Sequence, residues 1–401
     1  MSERQHTSPR RAAALLFSCV LAAQSGQLAL TPVLTDAAHT FSLTTAEAGQ
    51  IRTVAAAFAA VAALAAGAAS ARVSLRTLLS VGLALVFVGS SLSLTASSVP
   101  ALAVGQSLTG AASSVVLAAG VAAAAAWSDD ADRARVVAWT LVGAPAAWVV
   151  AMPLIGVVGT VSWRLAFAVP VAVAAATAVA LRLAPAGRAS RAGSGLRPML
   201  SDRALRRWAT GELLSYAAWS GVLVYAGALL VESYAASHTA VGVALGAGAA
   251  AYIPGTFAAR RVAAERARAL LATAGILLAV SVLGFGILRF GTTFSAVGFG
   301  VLCFLSGART YLGSAAGLDL GRGEHASAMS LRAAAAQIGW IVGSATGGAA
   351  LAGGGYPTLG LVLAMLFTAG ALVQGLPVRR RRGRATLPEH LPREAAPARG
   401  L

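Results

Sequence analysis

The sequence predicts an all-α membrane protein of twelve transmembrane helices arranged as two six-helix bundles, and three observations carry that expectation. Residues 12–35, 77–128 and 333–378 contain no charged side chain. An apolar helix needs about 20 residues to cross a hydrocarbon core of roughly 30 Å, so the first run holds one span and each of the others holds two. The chain is 57% hydrophobic and 11% charged, with a mean hydropathy of +0.75; a soluble domain carries about 25% charged residues. Finally, the connections between apolar stretches alternate between Arg-rich and Arg-poor.

The twelve spans fall near residues 12–32, 49–70, 77–96, 100–126, 136–159, 164–183, 208–231, 239–259, 268–288, 293–316, 328–351 and 357–376. The paired runs break at Ser97-Ser98-Val99-Pro100 and at Gly353-Gly354-Gly355-Tyr356-Pro357, because Pro and Gly end helices. Arg4, Arg10, Arg11 and the later Leu21-Ala22-Ala23 imitate a secretory signal. The apolar run continues to Leu34, however, and eleven more spans follow, so it reads as a retained first helix. The longest internal connection is polar and basic and divides the spans six and six. The expected organisation is an N-terminal bundle over 1–183, a linker over 184–207, a C-terminal bundle over 208–376 and a basic tail over 377–401.

A net charge of +17 would suggest nucleic-acid binding in a soluble chain. Here 26 of the 31 basic residues, all of them Arg, fall on one side of the spans, against Arg164 and Arg289 on the other. By the positive-inside rule both termini are cytoplasmic. The expected partner is therefore the lipid bilayer, with Arg379–Arg382 meeting anionic headgroups, and not nucleic acid. Lys and Asn are absent from the sequence. Such avoidance of AT-rich codons points to a high-GC bacterial genome and a plasma-membrane address.

Cys19 and Cys303 lie in apolar runs, and His6, His39, His238, His325 and His390 lie in tails or loops with no ligand spacing. No metal, cofactor or catalytic residue is expected, and a membrane-embedded enzyme is disfavoured. Without Lys there is no phosphate-binding glycine loop to drive transport with ATP.

The two halves echo each other: Gly67-Ala68-Ala69-Ser70-Ala71-Arg72 after span 2 has the spacing of Gly255-Thr256-Phe257-Ala258-Ala259-Arg260 after span 8. On these residues the chain resembles the major facilitator superfamily, whose turn after helix 2 reads Gly-x-x-x-Asp-Arg-x-Gly-Arg-Arg. Gly67, Arg72 and Arg76 match; Ala71 replaces the acidic residue and Ser74 the second glycine. In span 4, Leu102 and Gly110 match the family's Leu-x-x-x-Arg-x-x-x-Gly, with Gln106 in place of the arginine. Gly159 with Trp163-Arg164, and Ala334-Ala335-Ala336-Gln337-Ile338-Gly339 with Gly343 and Gly347, also fit. Span 5 has Pro145 and Pro153 but lacks the Gly-Pro-x-x-Gly-Gly of the family's proton antiporters.

The resemblance implies a secondary transporter that moves a small organic solute by alternating access as a monomer, similar to bacterial drug and metabolite efflux members. An uptake transporter or an uncoupled facilitator is the alternative, and a membrane sensor without transport is disfavoured. It also implies a cavity between spans 1, 4, 7 and 10. Those spans offer Gln24 and Gln27, three apart on one face; Gln106, Thr109 and Ser113; Ser215, Tyr216 and Trp219; and Ser306. Amides, hydroxyls and aromatic rings suit a neutral or weakly charged molecule.

Charges inside spans need partners, because an Arg at a helix centre costs about 2.5–3.5 kcal/mol on insertion scales. Glu212 and Arg309 lie at similar depth, and protonation of the carboxylate would release the pair and couple protons to transport. The alternatives are that Glu212 pairs with Arg206 or Arg207 and that Arg309 snorkels to the surface. Arg52 has Glu47 or an anionic substrate as candidate partners. Gly67, Arg72, Arg76, Gly255 and Arg260 form the expected cytoplasmic gate; Ala71 and Ala259 stand where the acidic neighbours are usual, and Asp129, Asp130 or Asp132 are the candidate carboxylates for Arg72. Gly242 with Gly246, and Gly343 with Gly347, permit close helix contacts.

Overall fold

The apolar runs become helices, and small polar residues start them, in a computed structural model that describes residues 8–69, 72–187, 201–262, 264–320 and 325–375. Ser74, Ser98, Asp202 and Ser237 each cap a helix by accepting from a backbone N–H in its first turn. The final stretch, His325–Gly375, spans 51 residues. A straight helix of that length would measure about 75 Å, more than twice a hydrocarbon core. It is broken instead at Gly355, whose φ of 68° takes the left-handed conformation that glycine tolerates. The chain reverses there, and the Leu359 side chain lies 3.4 Å from where Gly347 would carry a Cβ. The ten preceding candidate spans and these two make twelve transmembrane helices.

Four spans depart from single helices, each near proline; span 6 opens with a 3-10 turn, Trp163–Phe167, before the helix Ala168–Leu181 that carries Pro170. Span 1 runs as Pro9–Leu28, a 3-10 turn Thr31–Val33 and Leu34–Thr40. It therefore ends beyond the expected residue 32, because Pro32 sits in the first turn of a new helical segment, where its missing N–H is harmless. Span 5 comprises Asp130–Ala146, a π segment Ala147–Ala151 and Met152–Gly159; the π turn absorbs the hydrogen bonds lost to Pro145 and Pro153. Span 8 divides into His238–Ala250 and Tyr252–Arg260 just before Pro254.

With an even number of spans, Pro9, Gly187, Ser201 and Gly375 share one side, called proximal here. The apolar cores are distributed unevenly between the two sides. One large core joins both halves on the distal side, from Leu28–Ala38 and Met152–Ile155 to Leu223–Leu230, Val241–Ala249 and Phe299. On the proximal side there are two cores. One belongs to the N-terminal half, with Leu16, Leu79, Val116 and Trp127, and the other to the C-terminal half, with Leu205, Trp208, Leu271 and Leu312. Burial thus fastens the halves distally and leaves them separately packed proximally.

Glycines set the distal contact. A Cβ on Gly242 would meet the Met152 carbonyl at 2.6 Å and Gly156 Cα at 3.0 Å, and one on Gly246 would meet Pro153 at 2.9 Å. Spans 5 and 8 therefore touch backbone to backbone across the two halves. Gly343 performs the same service within the C-terminal half, against the Ala217 carbonyl of span 7.

Candidate functional site

The N-terminal half gathers its polar side chains where spans 1, 2 and 4 meet. Gln24 Nε2 donates to Ser113 Oγ at 2.8 Å, and Ser113 Oγ donates to Gln27 Oε1 at 3.1 Å. Arg52, buried on span 2, donates to the Gln27 carbonyl and, at 3.3 Å, to Gln106 Oε1, while Gln106 Nε2 donates to Ser93 Oγ at 3.1 Å. Gln24 and Gln27 are half-buried, whereas Gln106 and Thr109 are fully enclosed. The structure therefore brings together Gln24, Gln27, Ser113 and Gln106; Thr109 turns inward, its hydroxyl bonded to the Gln106 carbonyl of its own helix at 2.9 Å.

Arg52 does not pair with Glu47. Thr44 and Glu47 form a reciprocal capping box at the start of span 2: Thr44 N–H donates to Glu47 Oε2 at 2.8 Å and Glu47 N–H to Thr44 Oγ1 at 3.2 Å. That occupies the carboxylate at the helix end. Arg52 reaches the other way, into the space facing Gln106, the residue standing where the family pattern has an arginine.

In the C-terminal half the central feature is Glu212, fully buried on span 7. Its Oε1 accepts from Arg309 Nη2 at 2.8 Å and from Gln374 Nε2 at 3.2 Å; its Oε2 accepts from Arg332 Nε at 2.8 Å. Arg309 also donates to the Gly211 carbonyl at 3.3 Å, and Arg332 lies over the Tyr216 ring at 5.4 Å. Two guanidiniums on one carboxylate leave a formal positive charge in the proximal half of the bundle. A buried ion group of this kind is held by geometry and hydrogen bonds that must all be present at once. Glu212 thus pairs with Arg309 and not with Arg206 or Arg207, and Arg309 does not snorkel. Arg332 and Gln374 are partners that sequence reasoning missed. Arg332 carried a signal as a single charge inside a span; Gln374 carried none.

The remaining span 7 and 10 candidates divide. Tyr216 and Trp219 are half-buried. Ser215 is buried towards span 12, its Oγ 2.7 Å from the Cβ position of Gly370, and Ser306 is buried near Arg309. Arg309 Nε, Ser215 Oγ and Ser306 Oγ have no hydrogen-bond partner among the described residues. Among those residues no group of three His, Cys, Asp or Glu is placed to hold a metal ion.

The expected gate residues sit on the proximal side of separate halves. Gly67 lies in the last turns of Thr45–Ala69, and Arg72 is exposed on the turn after it. Arg76 fastens the start of the linker, donating to the Ala184 carbonyl at 3.1 Å. Gly255 packs on the Phe304 backbone, and Arg260 lies over the Phe257 ring at 5.3 Å.

The hydrogen bonds that do cross between the halves are mostly distal. Thr53 Oγ1 donates to Ser344 Oγ at 2.9 Å, Gln50 Nε2 reaches the Ser344 carbonyl at 3.4 Å, and Thr45 Oγ1 donates to Glu232. Near mid-depth, Gln337 Nε2 donates to Ser114 Oγ at 3.3 Å.

This arrangement has counterparts among known proteins. The family model described as Major Facilitator Superfamily matches residues 16–320. No curated protein sequence matches the chain significantly. Among solved structures, a D-xylose-proton symporter superposes with a TM-score of 0.76 at 12% identity, covering 92% of this chain and 97% of its own. A bacterial homolog of the human lysosomal transporter Spinster, inward-facing and unoccupied, gives a TM-score of 0.71 at 13% identity over 92% of this chain and 95% of its own. The same homolog, inward-facing and occupied, gives 0.76 at 13% identity over 92% and 97%. At such identities the likeness establishes the fold, twelve helices in two bundles; with the family model matching from span 1 to the end of span 10, the chain belongs to the Major Facilitator Superfamily of secondary transporters.

Proposed function

We propose that this transporter exports a neutral or weakly charged organic compound from a bacterial cytoplasm across the plasma membrane, and that protons drive it through Glu212. The two bundles, over 1–183 and 208–376, are the moving bodies. The observation that carries this reading is the single distal core set against two proximal ones: it leaves Gln24, Gln27, Ser113, Tyr216 and Trp219 between bundles that separate on the proximal side. The Arg split assigns the proximal side to the cytoplasm, which makes this conformation inward-facing, with the gate residues Arg72 and Arg260 on separately packed halves. Closing them together while the distal core opens would expose the same polar face to the other side.

Two experiments test the proposal. Reporter fusions after Ser42, Ser98 and Gly354 report the outside, and fusions after Arg135, Ser194 and Arg384 the cytoplasm; a reproducible reversal at any of them breaks the orientation. Proteoliposomes with an imposed pH gradient, offered a panel of neutral and cationic drug-like compounds, accumulate at least one of them only while the gradient lasts. Gradient-independent equilibration of a panel member would make the protein a facilitator, and accumulation in the direction of proton flow would make it an uptake symporter.

A further inference from the structure

At the distal rim an imidazole joins the two bundles. His238, the first residue of span 8, places Nε2 2.8 Å from Asp36 Oδ2 and Nδ1 3.0 Å from the Pro32 carbonyl oxygen, both on the last part of span 1. A carbonyl and an ionised carboxylate are acceptors. A neutral imidazole has one N–H and can serve one of them, whereas the doubly protonated ring donates to both. Side-chain exposures of 15% for His238 and 42% for Asp36 put the pair within reach of distal water.

The charged groups nearest the pair have other partners: Trp163–Phe167 and span 2, which pack against the Asp36 segment, bring Arg164, donating to the Ala96 carbonyl at 2.9 Å, and Glu47, held by Thr44. Met152–Gly159, Ala147–Ala151 and Thr31–Val33, which pack against the helix of His238, bring no charged or titratable group. The segment carrying Asp36 also brings His39, which is exposed. Span 7 brings Glu232, bonded to Thr45 and to Tyr356, and Tyr234, bonded to Ser295 at 2.8 Å. The charges of span 10, Arg309 and Asp319, and Arg260 at the end of span 8, belong to the proximal half.

We infer that His238 is a proton site that latches the distal face: its imidazolium bridges Asp36 and Pro32 of one bundle from the other, so acid in the distal compartment holds that face shut and alkali loosens it. The inference rests on the alternating-access reading above and adds a second proton site, remote from Glu212. Histidine changes charge between about pH 5 and pH 8, the range in which a compartment's acidity can be read.

The test uses the full-length protein in phosphatidylcholine nanodiscs, with Cys19 and Cys303 replaced by Ala and nitroxide labels at Ser42 and Ala240, both exposed on the distal side of opposite halves. Electron-spin distances are recorded at about pH 5 and about pH 8. The longer-distance population grows about two- to fivefold at the higher pH, the scale of one partly exposed ionic contact. His238→Gln and Asp36→Asn each give the alkaline distribution at both pH values, and His39→Gln keeps the response. A parent protein indifferent to pH, a response that survives either His238→Gln or Asp36→Asn, or one abolished by His39→Gln overturns the latch. A pH response without transport of any panel compound would overturn the exporter reading and leave the latch standing.

Discussion

Glu212→Gln abolishes gradient-driven accumulation in proteoliposomes while substrate exchange continues. The reason lies in the buried group that the carboxylate shares with Arg309, Arg332 and Gln374. A proton-coupled cycle needs one conformation in which the carboxylate holds both guanidiniums and one in which it releases them; glutamine fixes the neutral form at nearly the same size. Removal of the side chain goes further. Both variants leave two buried guanidiniums without a counter-charge, but Glu212→Ala also removes the oxygens that accept from them, so it loses the most folded protein in a thermal melt, roughly 3–5 kcal/mol. The double change Glu212→Gln with Arg332→Gln returns the site to its original formal charge, so it recovers thermal stability relative to Glu212→Gln but not accumulation. Gradient-driven transport by the double variant would mean that the charge of Glu212 serves the fold alone.

Much of this molecule could be read from one-dimensional pattern, for a physical reason. Spans are set by local chain properties, so the uncharged runs and the reversal at Gly355 were visible as apolar length and as Gly and Pro punctuation. Where a local rule had two outcomes, the sequence misled: Pro32 starts a further helical segment instead of ending span 1, because proline is as acceptable in a first turn as after a last one. Thr44-x-x-Glu47 carried its capping-box signature openly, and it explains why Arg52 turned to Gln106 instead.

Pairings between helices were legible when depth alone constrained them, as for Glu212 and Arg309. They were not legible when rotation about the helix axis decided, as for Arg332 and Gln374, or for Ser215, which faces span 12. His238 and Asp36 are separated by 202 positions in the chain. Each looked like a residue at the edge of a span, and no spacing rule links them. The contact is a property of how one bundle sits on the other.

Alternating access requires the distal faces of the two bundles to part. Thr53 Oγ1 and Ser344 Oγ, 2.9 Å apart on spans 2 and 11, mark where the halves meet. Cysteines at both positions, with Cys19 and Cys303 replaced by Ala, bring two thiols within bridging reach, and an oxidant should join them. Accumulation of a transported panel compound should stop on oxidation and return on reduction, with the single-cysteine variants unaffected. A cross-linked protein that transports as fast as its reduced form would contradict the account.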